Sequence, residues 1–220
     1  MSTQGIVSAE DIVCLVGGAP FDEAMLPRVS GFVSKYIAVD AGADALRRAG
    51  LTPAMVIGDL DSLSADARAT FADRLCHIQE TDTTDFEKAL SRVDAAGFVA
   101  LGFTGGRLDH TLAVLNVLAR FQTKPVILLD ASDASFLARR GVTRLAPPAG
   151  SRIAFMPLAE LRCSVAGAHW PFSDQLMHPT GFISSSNAVA GSVVIRTDGP
   201  LLVSLPAAQF ETAAKAVFPE

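Results

Sequence analysis

Cysteine is scarce in this sequence of 220 residues, and no two cysteines are close enough to form a CxxC motif. The three that occur, Cys14, Cys76 and Cys163, are far apart and odd in number, which argues against a disulfide framework. We therefore expect three buried free thiols, as is typical of proteins in a reducing compartment.

Long apolar runs are absent as well. No stretch of about 18 uncharged apolar residues occurs, so no membrane-spanning helix is predicted. The N-terminal segment has no basic region ahead of its short apolar run, so we expect no signal peptide. These absences predict a cytoplasmic protein.

Basic residues are fewer than acidic residues. Lysine and arginine number 18 against 23 aspartates and glutamates, which gives a formal net charge of −5 and a pI near 5.3. This balance argues against a protein that binds nucleic acid or an anionic membrane through its general charge. An anionic substrate would need local basic residues or a metal ion. Half of the residues are hydrophobic, enough for a sizeable core.

Charge divides the chain into two predicted domains. Residues 1–146 hold 14 of the 18 basic and 18 of the 23 acidic residues, whereas residues 147–220 hold four and five. The shift falls at LAPPAG, residues 145–150, whose prolines and glycine are typical of a linker or turn. We place the domain boundary there.

The two parts differ in their apolar pattern. Residues 1–146 alternate strand-like runs with segments of helical periodicity, which predicts an α/β domain with a mostly parallel sheet covered by helices. The strand-like runs are DIVCLVGG, YIAVDAG, AMVIGDLD, GFVALGFTGG and PVILLDAS. Residues 147–220 contain short β-branched segments such as SRIAFMPL and PLLVSLPA, which predict a smaller all-β sandwich.

Aspartates follow the strands predicted in the first domain. Asp40 ends one strand, Asp59 and Asp61 follow the next, and Asp82 and Asp85 stand at a helix start. Ligands bind at the carboxyl ends of strands in parallel sheets. Carboxylate oxygens suit Mg²⁺, and a bound dication would remove the repulsion between the adjacent carboxylates.

Simpler roles for these segments stay open. Asp61 or Ser62 would cap a helix in a solvated turn. Thr83, Thr84 or Asp85 would cap the helix of DTTDFEKAL, and Glu87, three residues after Thr84, would complete a capping box. Lys88, one turn into that helix, would either reach a phosphate or lie on the surface.

The segment GFTGGRLDH, residues 102–110, is more specific. Gly105 and Gly106 allow close approach of the backbone to a ligand, and the helix that follows offers free amides to an anion. Arg107 adds a bidentate donor. The alternative is a tight turn between strand and helix. No GxxxxGK[ST] motif occurs, so the chain is not a P-loop nucleotidase.

In their order and spacing, DAGAD, GDLDSL, DTTDFEKAL and GFTGGRLDH resemble the motifs of bacterial thiamine pyrophosphokinases. HWP and SSSNAVAG are similar to that family's C-terminal segments, so the resemblance extends from Val13 to Leu205. It implies an α/β domain, a β-sandwich and a homodimer with active sites at the subunit interface. It also implies transfer of pyrophosphate from ATP to thiamine, giving thiamine diphosphate and AMP, with Mg²⁺ as cofactor.

The motifs and the resemblance together assign the expected site residues. The expected catalytic residues are Asp59, Asp61, Asp82, Asp85 and Arg107, of which Asp59, Asp61 and Asp82 hold the metal. The expected contacts to phosphate and metal come from Asp40, Lys88, Gly105, Gly106, Arg107 and Asp109. The resemblance implies contacts to thiamine from Trp170, Ser186 and Asn187.

Other interpretations remain at this stage. Trp170, the only tryptophan, would equally fill a core, and Ser186 or Asn187 would equally cap a turn. The DLDS segment resembles the DxD motif of haloacid-dehalogenase-like Mg²⁺-dependent phosphohydrolases. That motif normally ends the first strand, whereas two strand-like runs precede it here. A nucleotide or thiamine sensor without turnover is a further alternative.

Overall fold

The computed structural model describes residues 10–218. The apolar runs of the sequence form strands in this structure. The chain divides into two units, Met1–Val117 and Leu118–Glu220. Residues 118–146 therefore group with the second unit, whereas the boundary predicted from charge and turn residues follows residue 146.

The first unit contains five parallel strands and the helices that connect them. The strands are β1 (Ile12–Val16), β2 (Lys35–Val39), β3 (Met55–Gly58), β4 (Leu75–His77) and β5 (Gly97–Leu101). The helices are α1 (Met25–Val29), α2 (Gly42–Arg48), α3 (Ala65–Thr70), α4 (Asp85–Arg92) and α5 (Leu108–Arg120), which extends past Val117. The strand order is β5-β1-β2-β3-β4.

Local sequence explains these elements. The strands β3 and β5 are buried along their whole length, as expected for a parallel sheet covered on both faces. Ser64 caps α3 by accepting a hydrogen bond from the Ala67 amide at 3.1 Å. Thr84 caps α4 by accepting one from the Glu87 amide at 3.2 Å, which selects one of the three caps considered from the sequence. Because the strands are parallel, the residues that follow them meet at one edge.

The second unit is rich in antiparallel strands. They are β6 (Val126–Leu129), β7 (Asp133–Leu137), β8 (Gly141–Leu145), β9 (Arg152–Pro157), β10 (Leu161–Ala168), β11 (Phe172–Met177), β12 (Ser184–Thr197) and β13 (Leu201–Pro206). The long strand β12 pairs with β9 near its start and with β8 near its end, while β10 pairs with it at Val189 and again from Val194 to Thr197. The helix α6 (Phe210–Val217), which the sequence analysis did not predict, completes the unit.

Two further expectations concern the chain as a whole. Cys14, Cys76 and Cys163 are all buried and free, as predicted. Burial raises the pKa of the Cys163 thiol to about 12, so this thiol is inert at neutral pH.

None of the helices within residues 10–218 combines the length and apolar character that crossing a membrane requires.

Candidate active site

A cavity of about 620 Å³ opens at the carboxyl ends of the strands in the first unit. Its lining includes residues 17–20 after β1, residues 39–41 at the end of β2, and residues 102–103 after β5. Asp59 and Asp61 contribute from the loop after β3, and the first turns of α4 and α5 complete the wall. The volume is in the usual range for a small-molecule site, at the position where parallel sheets bind ligands.

Three carboxylates converge on this cavity. Oxygens of Asp40, Asp59 and Asp61 all lie within 4.8 Å of one another. The backbone turns sharply to achieve this, because Asp40 has φ +48° and Leu60 has φ +64°. A positive φ is unusual for leucine, and the burial of the Leu60 side chain holds it in place. Such strain is often found at functional sites.

Asp40 is the most buried of the three carboxylates. Its side chain is 9% exposed, and its Oδ1 has no hydrogen-bond partner among the described residues. Burial, together with the charges of Asp85, Asp59 and Asp61, raises the pKa of Asp40 above its usual value. A buried, unpartnered carboxylate oxygen is costly, so a cation fits this position.

Asp59 is anchored through both of its oxygens. Its Oδ1 accepts a hydrogen bond from the Asp61 amide at 3.2 Å, and its Oδ2 lies 3.5 Å from the Lys88 ammonium. Burial favours a higher pKa for Asp59, but the Asp61 amide and the Lys88 ammonium outweigh it and lower the pKa. Asp59 is therefore ionised at neutral pH.

Asp85, the first residue of α4, accepts a 2.8 Å hydrogen bond from Lys88 and lines the cavity. Burial favours a lower pKa for Lys88, but Asp85 and Asp59 outweigh it and raise the pKa. The ammonium is therefore charged although the side chain is 2% exposed.

The glycine loop brings Arg107 to the wall of the cavity. Gly105 has φ +79°, which an L side chain adopts only with strain, and Gly106 lines the cavity directly. The guanidinium of Arg107 donates to both Asp109 oxygens, at 3.1 and 2.6 Å. This pairing lowers the pKa of Asp109 and raises that of Arg107. Both side chains are exposed, so Arg107 is available to an anionic ligand.

In the second unit, Trp170 is exposed and Asn187 holds its backbone. The tryptophan side chain is 64% exposed, which rules out the core-filling alternative. The buried Asn187 accepts a hydrogen bond from the Trp170 amide at 3.2 Å and donates to its carbonyl at 2.8 Å. Ser186, the neighbour of Asn187 on β12, is exposed. Asn187 thus fixes the position of Trp170, while Ser186 is open to a ligand.

Two family models match the chain. Residues 30–129 match the catalytic domain of thiamin pyrophosphokinase, and residues 143–202 match its vitamin B1 binding domain. The chain belongs to the thiamin pyrophosphokinase family.

Known members of the family agree with this assignment. Thiamine pyrophosphokinase 1 of Oryza sativa subsp. japonica is 27% identical over 172 residues, which cover 68% of this chain and 64% of the rice protein. The chain thus spans slightly less than two thirds of that relative. Thiamine pyrophosphokinase of Bacillus subtilis is 31% identical over 114 residues, which cover 47% of this chain and 52% of the Bacillus protein.

A solved structure supports the fold directly. The crystal structure of thiamin pyrophosphokinase from Geobacillus thermodenitrificans matches with a TM-score of 0.76 at 25% identity, covering 89% of this chain and 96% of that chain. This match confirms the predicted fold class, an α/β part followed by a strand-rich part. The phosphohydrolase alternative finds no support in these matches.

In this member of the thiamin pyrophosphokinase family, the structure places Asp82 differently from the prediction based on sequence. We predicted a metal set of Asp59, Asp61 and Asp82, but the three oxygens that lie together belong to Asp40, Asp59 and Asp61. Asp82 precedes the Thr84 cap and is exposed, whereas Asp85 follows the cap and lines the cavity. The position of the cap therefore decides which of the two aspartates faces the site.

Sequence reasoning missed the loop after β1, residues 17–20. Its Gly17 amide donates to the Leu101 carbonyl at 2.8 Å, and its Ala19 amide donates to the Gly102 carbonyl at 2.9 Å. A Cβ at Gly17 would lie 2.5 Å from the Gly102 oxygen, so this contact requires glycine. The available signal was the Gly-Gly pair directly after a predicted strand.

Proposed function

We propose that this protein transfers pyrophosphate from ATP to the hydroxyl of thiamine, giving thiamine diphosphate and AMP. The observation that carries the proposal is the convergence of Asp40, Asp59 and Asp61 on a cavity bordered by a glycine-rich loop. The family membership supports the same reaction, since one matched model is named for catalysis and the other for vitamin B1 binding.

We propose Mg²⁺ as the cofactor. Asp40, Asp59 and Asp61 would hold it, because they offer hard oxygen donors within reach of one another and one of these oxygens is buried with no hydrogen-bond partner within residues 10–218. When bound, Mg²⁺ supplies positive charge that stabilises the phosphates of ATP and the charge that develops during transfer.

The protein's own groups position the reactants. Arg107 offers a bidentate donor to phosphate oxygens, and Asp109 holds its guanidinium in a fixed orientation. The hydroxyl oxygen of thiamine forms a bond to the β-phosphorus while the bond from that phosphorus to the oxygen of AMP breaks. The hydroxyl proton passes to a carboxylate of the cluster. Catalysis then depends mainly on positioning and charge stabilisation.

For thiamine we propose contacts in the second unit. The exposed indole of Trp170 offers a flat π-face to thiamine, which has two planar rings and a positive charge on its thiazolium ring. Asn187 holds the tryptophan backbone, and Ser186, the neighbour of Asn187 on β12, has an exposed side chain. Asn187 therefore contributes through Trp170, because its amide group is already used in hydrogen bonds to the protein.

We further propose a homodimer in the cytoplasm. The second unit exposes large apolar side chains, and such surface is typical of a subunit interface. They are Val142, Met156, Trp170, Leu176, Phe182 and Ile183. Sedimentation at micromolar concentration tests this proposal, and a species of about 23 kDa, the mass of one chain, would contradict it.

The experiment that tests the reaction is incubation of the protein with ATP, Mg²⁺ and thiamine, followed by chromatography of the products. We expect thiamine diphosphate and AMP in equal amounts. A reaction without thiamine should produce little AMP. Formation of ADP and thiamine monophosphate, or of inorganic phosphate alone, would contradict the proposed reaction.

A further inference from the structure

Lys88 is an unusual residue in this protein. It is one of only four lysines in the sequence, and its side chain is 2% exposed. Lysine is almost never fully buried unless its charge is paired. Here the ammonium donates to Asp85 Oδ1 at 2.8 Å and lies 3.5 Å from Asp59 Oδ2. The charge is therefore buried and paired with two residues of the candidate site.

The two partners of Lys88 belong to different elements of the first unit. Asp85 begins α4 one turn before Lys88, whereas Asp59 follows β3. The ammonium thus connects the helix to the strand end at the carboxylate cluster. Because the Asp61 amide holds the other oxygen of Asp59, the orientation of this carboxylate is fixed from two sides.

This geometry argues against direct contact between Lys88 and phosphate. Asp59 and Asp85 line the cavity, whereas Lys88, whose side chain is 2% exposed, is not among the described residues that line it. To reach a ligand, the ammonium would have to leave two carboxylates. The role expected from sequence, a phosphate ligand, therefore gives way to a role that acts through Asp59 and Asp85.

The charges around the cavity give this arrangement a function. Asp40, Asp59, Asp61 and Asp85 all line it, and carboxylates this close repel one another. The Lys88 ammonium places one positive charge next to two of these carboxylates, Asp59 and Asp85. An ammonium at this position also repels any other cation that approaches the same carboxylates.

We propose that Lys88 is a positioning residue that orients Asp59 and Asp85 and weakens the binding of free divalent cations to the carboxylate cluster. This inference rests on the metal site of the proposed function. The metal would then bind well only together with the phosphates of the nucleotide, whose negative charge offsets the ammonium. Lys88 contacts neither substrate.

The test compares Lys88→Met, which keeps the length of the side chain and removes its charge, with Lys88→Arg and the native protein. Lys35→Met is the matched control, because Lys35 forms an ion pair with Asp11 in the same unit and is 39% exposed. Binding of Mn²⁺ without nucleotide is measured by electron paramagnetic resonance. Thermal melting checks that each variant is folded, and Lys88→Gln serves if the methionine variant is not.

We expect Lys88→Met to bind free Mn²⁺ about tenfold more tightly than the native protein, since the repulsive charge is gone. Lys88→Arg and Lys35→Met should stay within about twofold of the native affinity. In the turnover assay, kcat of Lys88→Met should fall about tenfold or more with both KM values little changed.

Three results would overturn the inference. The first is an unchanged or weaker Mn²⁺ affinity in folded Lys88→Met, and the second is an unchanged kcat. The third is a raised KM for ATP with native Mn²⁺ affinity, which would make Lys88 a phosphate ligand. If the native protein makes no thiamine diphosphate, the proposed function fails, and the Mn²⁺ comparison still decides the role of Lys88.

Discussion

The two units place their candidate residues in different ways. In the first unit, Asp40 and Asp59 follow parallel strands, so the fold itself brings them to one edge. In the second unit, Trp170 follows β10 and Asn187 lies on the antiparallel β12, and specific hydrogen bonds join them. In a parallel sheet the topology itself brings site residues together at the strand ends. In the antiparallel unit, individual hydrogen bonds are needed to hold the candidate residues next to each other.

The units also differ in charge. Residues 1–117 contain nine basic and 16 acidic residues, a net charge of −7, whereas residues 118–220 contain nine and seven, a net charge of +2. An anionic nucleotide is proposed to bind in the more acidic unit. Cations must therefore offset the carboxylates there, which explains why a metal, Lys88 and Arg107 are all assigned to that unit.

The largest expected effect comes from the acidic cluster. Asp59→Asn and Asp61→Asn should each lower kcat about 1,000-fold or more, because each removes the charge of a proposed metal ligand and with it several kcal/mol of charge stabilisation. The melting temperature should change little, since both side chains lie in a partly exposed loop. Steady-state kinetics at saturating Mg²⁺ measures the effect.

Asp82→Asn is the control variant for this test. Because Asp82 is exposed and lies outside the carboxylate group, its substitution should change kcat by less than about threefold. Full activity in both Asp59→Asn and Asp61→Asn would refute the metal assignment. A loss in Asp82→Asn as large as theirs would restore the set predicted from sequence.

The next largest effect should come from Arg107. Arg107→Met should lower kcat/KM about 10- to 100-fold, because a donor to the phosphates is lost. Arg107→Lys should recover only part of the activity, since a point charge cannot replace the bidentate guanidinium. If both variants keep native kcat/KM, Arg107 has no role at the phosphates.

A smaller effect should distinguish the second unit from the first. Trp170→Ala should raise the KM for thiamine about 5- to 30-fold, equivalent to 1–2 kcal/mol of stacking and cation–π attraction. The KM for ATP should stay unchanged, and Trp170→Phe should retain part of the binding. The melting temperature should hardly move, because the side chain is 64% exposed.

Glu160→Ala is a suitable control for Trp170→Ala, since Glu160 is exposed in the same unit and lies outside the apolar group proposed for the dimer interface. It should leave the KM for thiamine at the native value. Equal effects of the two substitutions on this KM would indicate a general surface effect and would contradict the stacking role of Trp170.

The smallest effect concerns Asp40 in the metal-free protein. Because burial and nearby carboxylates raise the pKa of Asp40, its ionised form lowers stability at neutral pH. This cost is present above the folded pKa and disappears below the unfolded value, which is about 3.9. Asp40→Asn should therefore raise the melting temperature at pH 7, and the gain should shrink as the pH falls. A gain that is independent of pH would contradict this account.

The sequence was more informative for the first unit than for the second. Continuous apolar runs predicted β1, β2, β3 and β5, and the aspartates after β2 and β3 predicted the acidic cluster. The loop of residues 17–20 was missed because its contribution is close backbone packing, which leaves only glycines as a signal. Asp82 was misplaced because its exposure depends on where α4 begins.

In the second unit, tertiary contacts decide what the sequence leaves open. A single tryptophan is compatible with a core or with a binding surface, and only the fold shows that Trp170 is exposed. Asn187 was predicted as a ligand residue, yet its amide group is used to hold the tryptophan backbone. The strand β11 went unpredicted because it lacks a continuous apolar run.

The exposure of the only tryptophan also makes the protein its own spectroscopic reporter. Because Trp170 is the single indole among 220 residues, tryptophan fluorescence comes from one known position in the second unit. Its emission should lie at the long wavelengths of a water-exposed indole, and a stacked thiamine ring should quench it. The acidic cluster contributes no tryptophan signal, so titrations with thiamine and with nucleotide can be separated in the unlabelled protein.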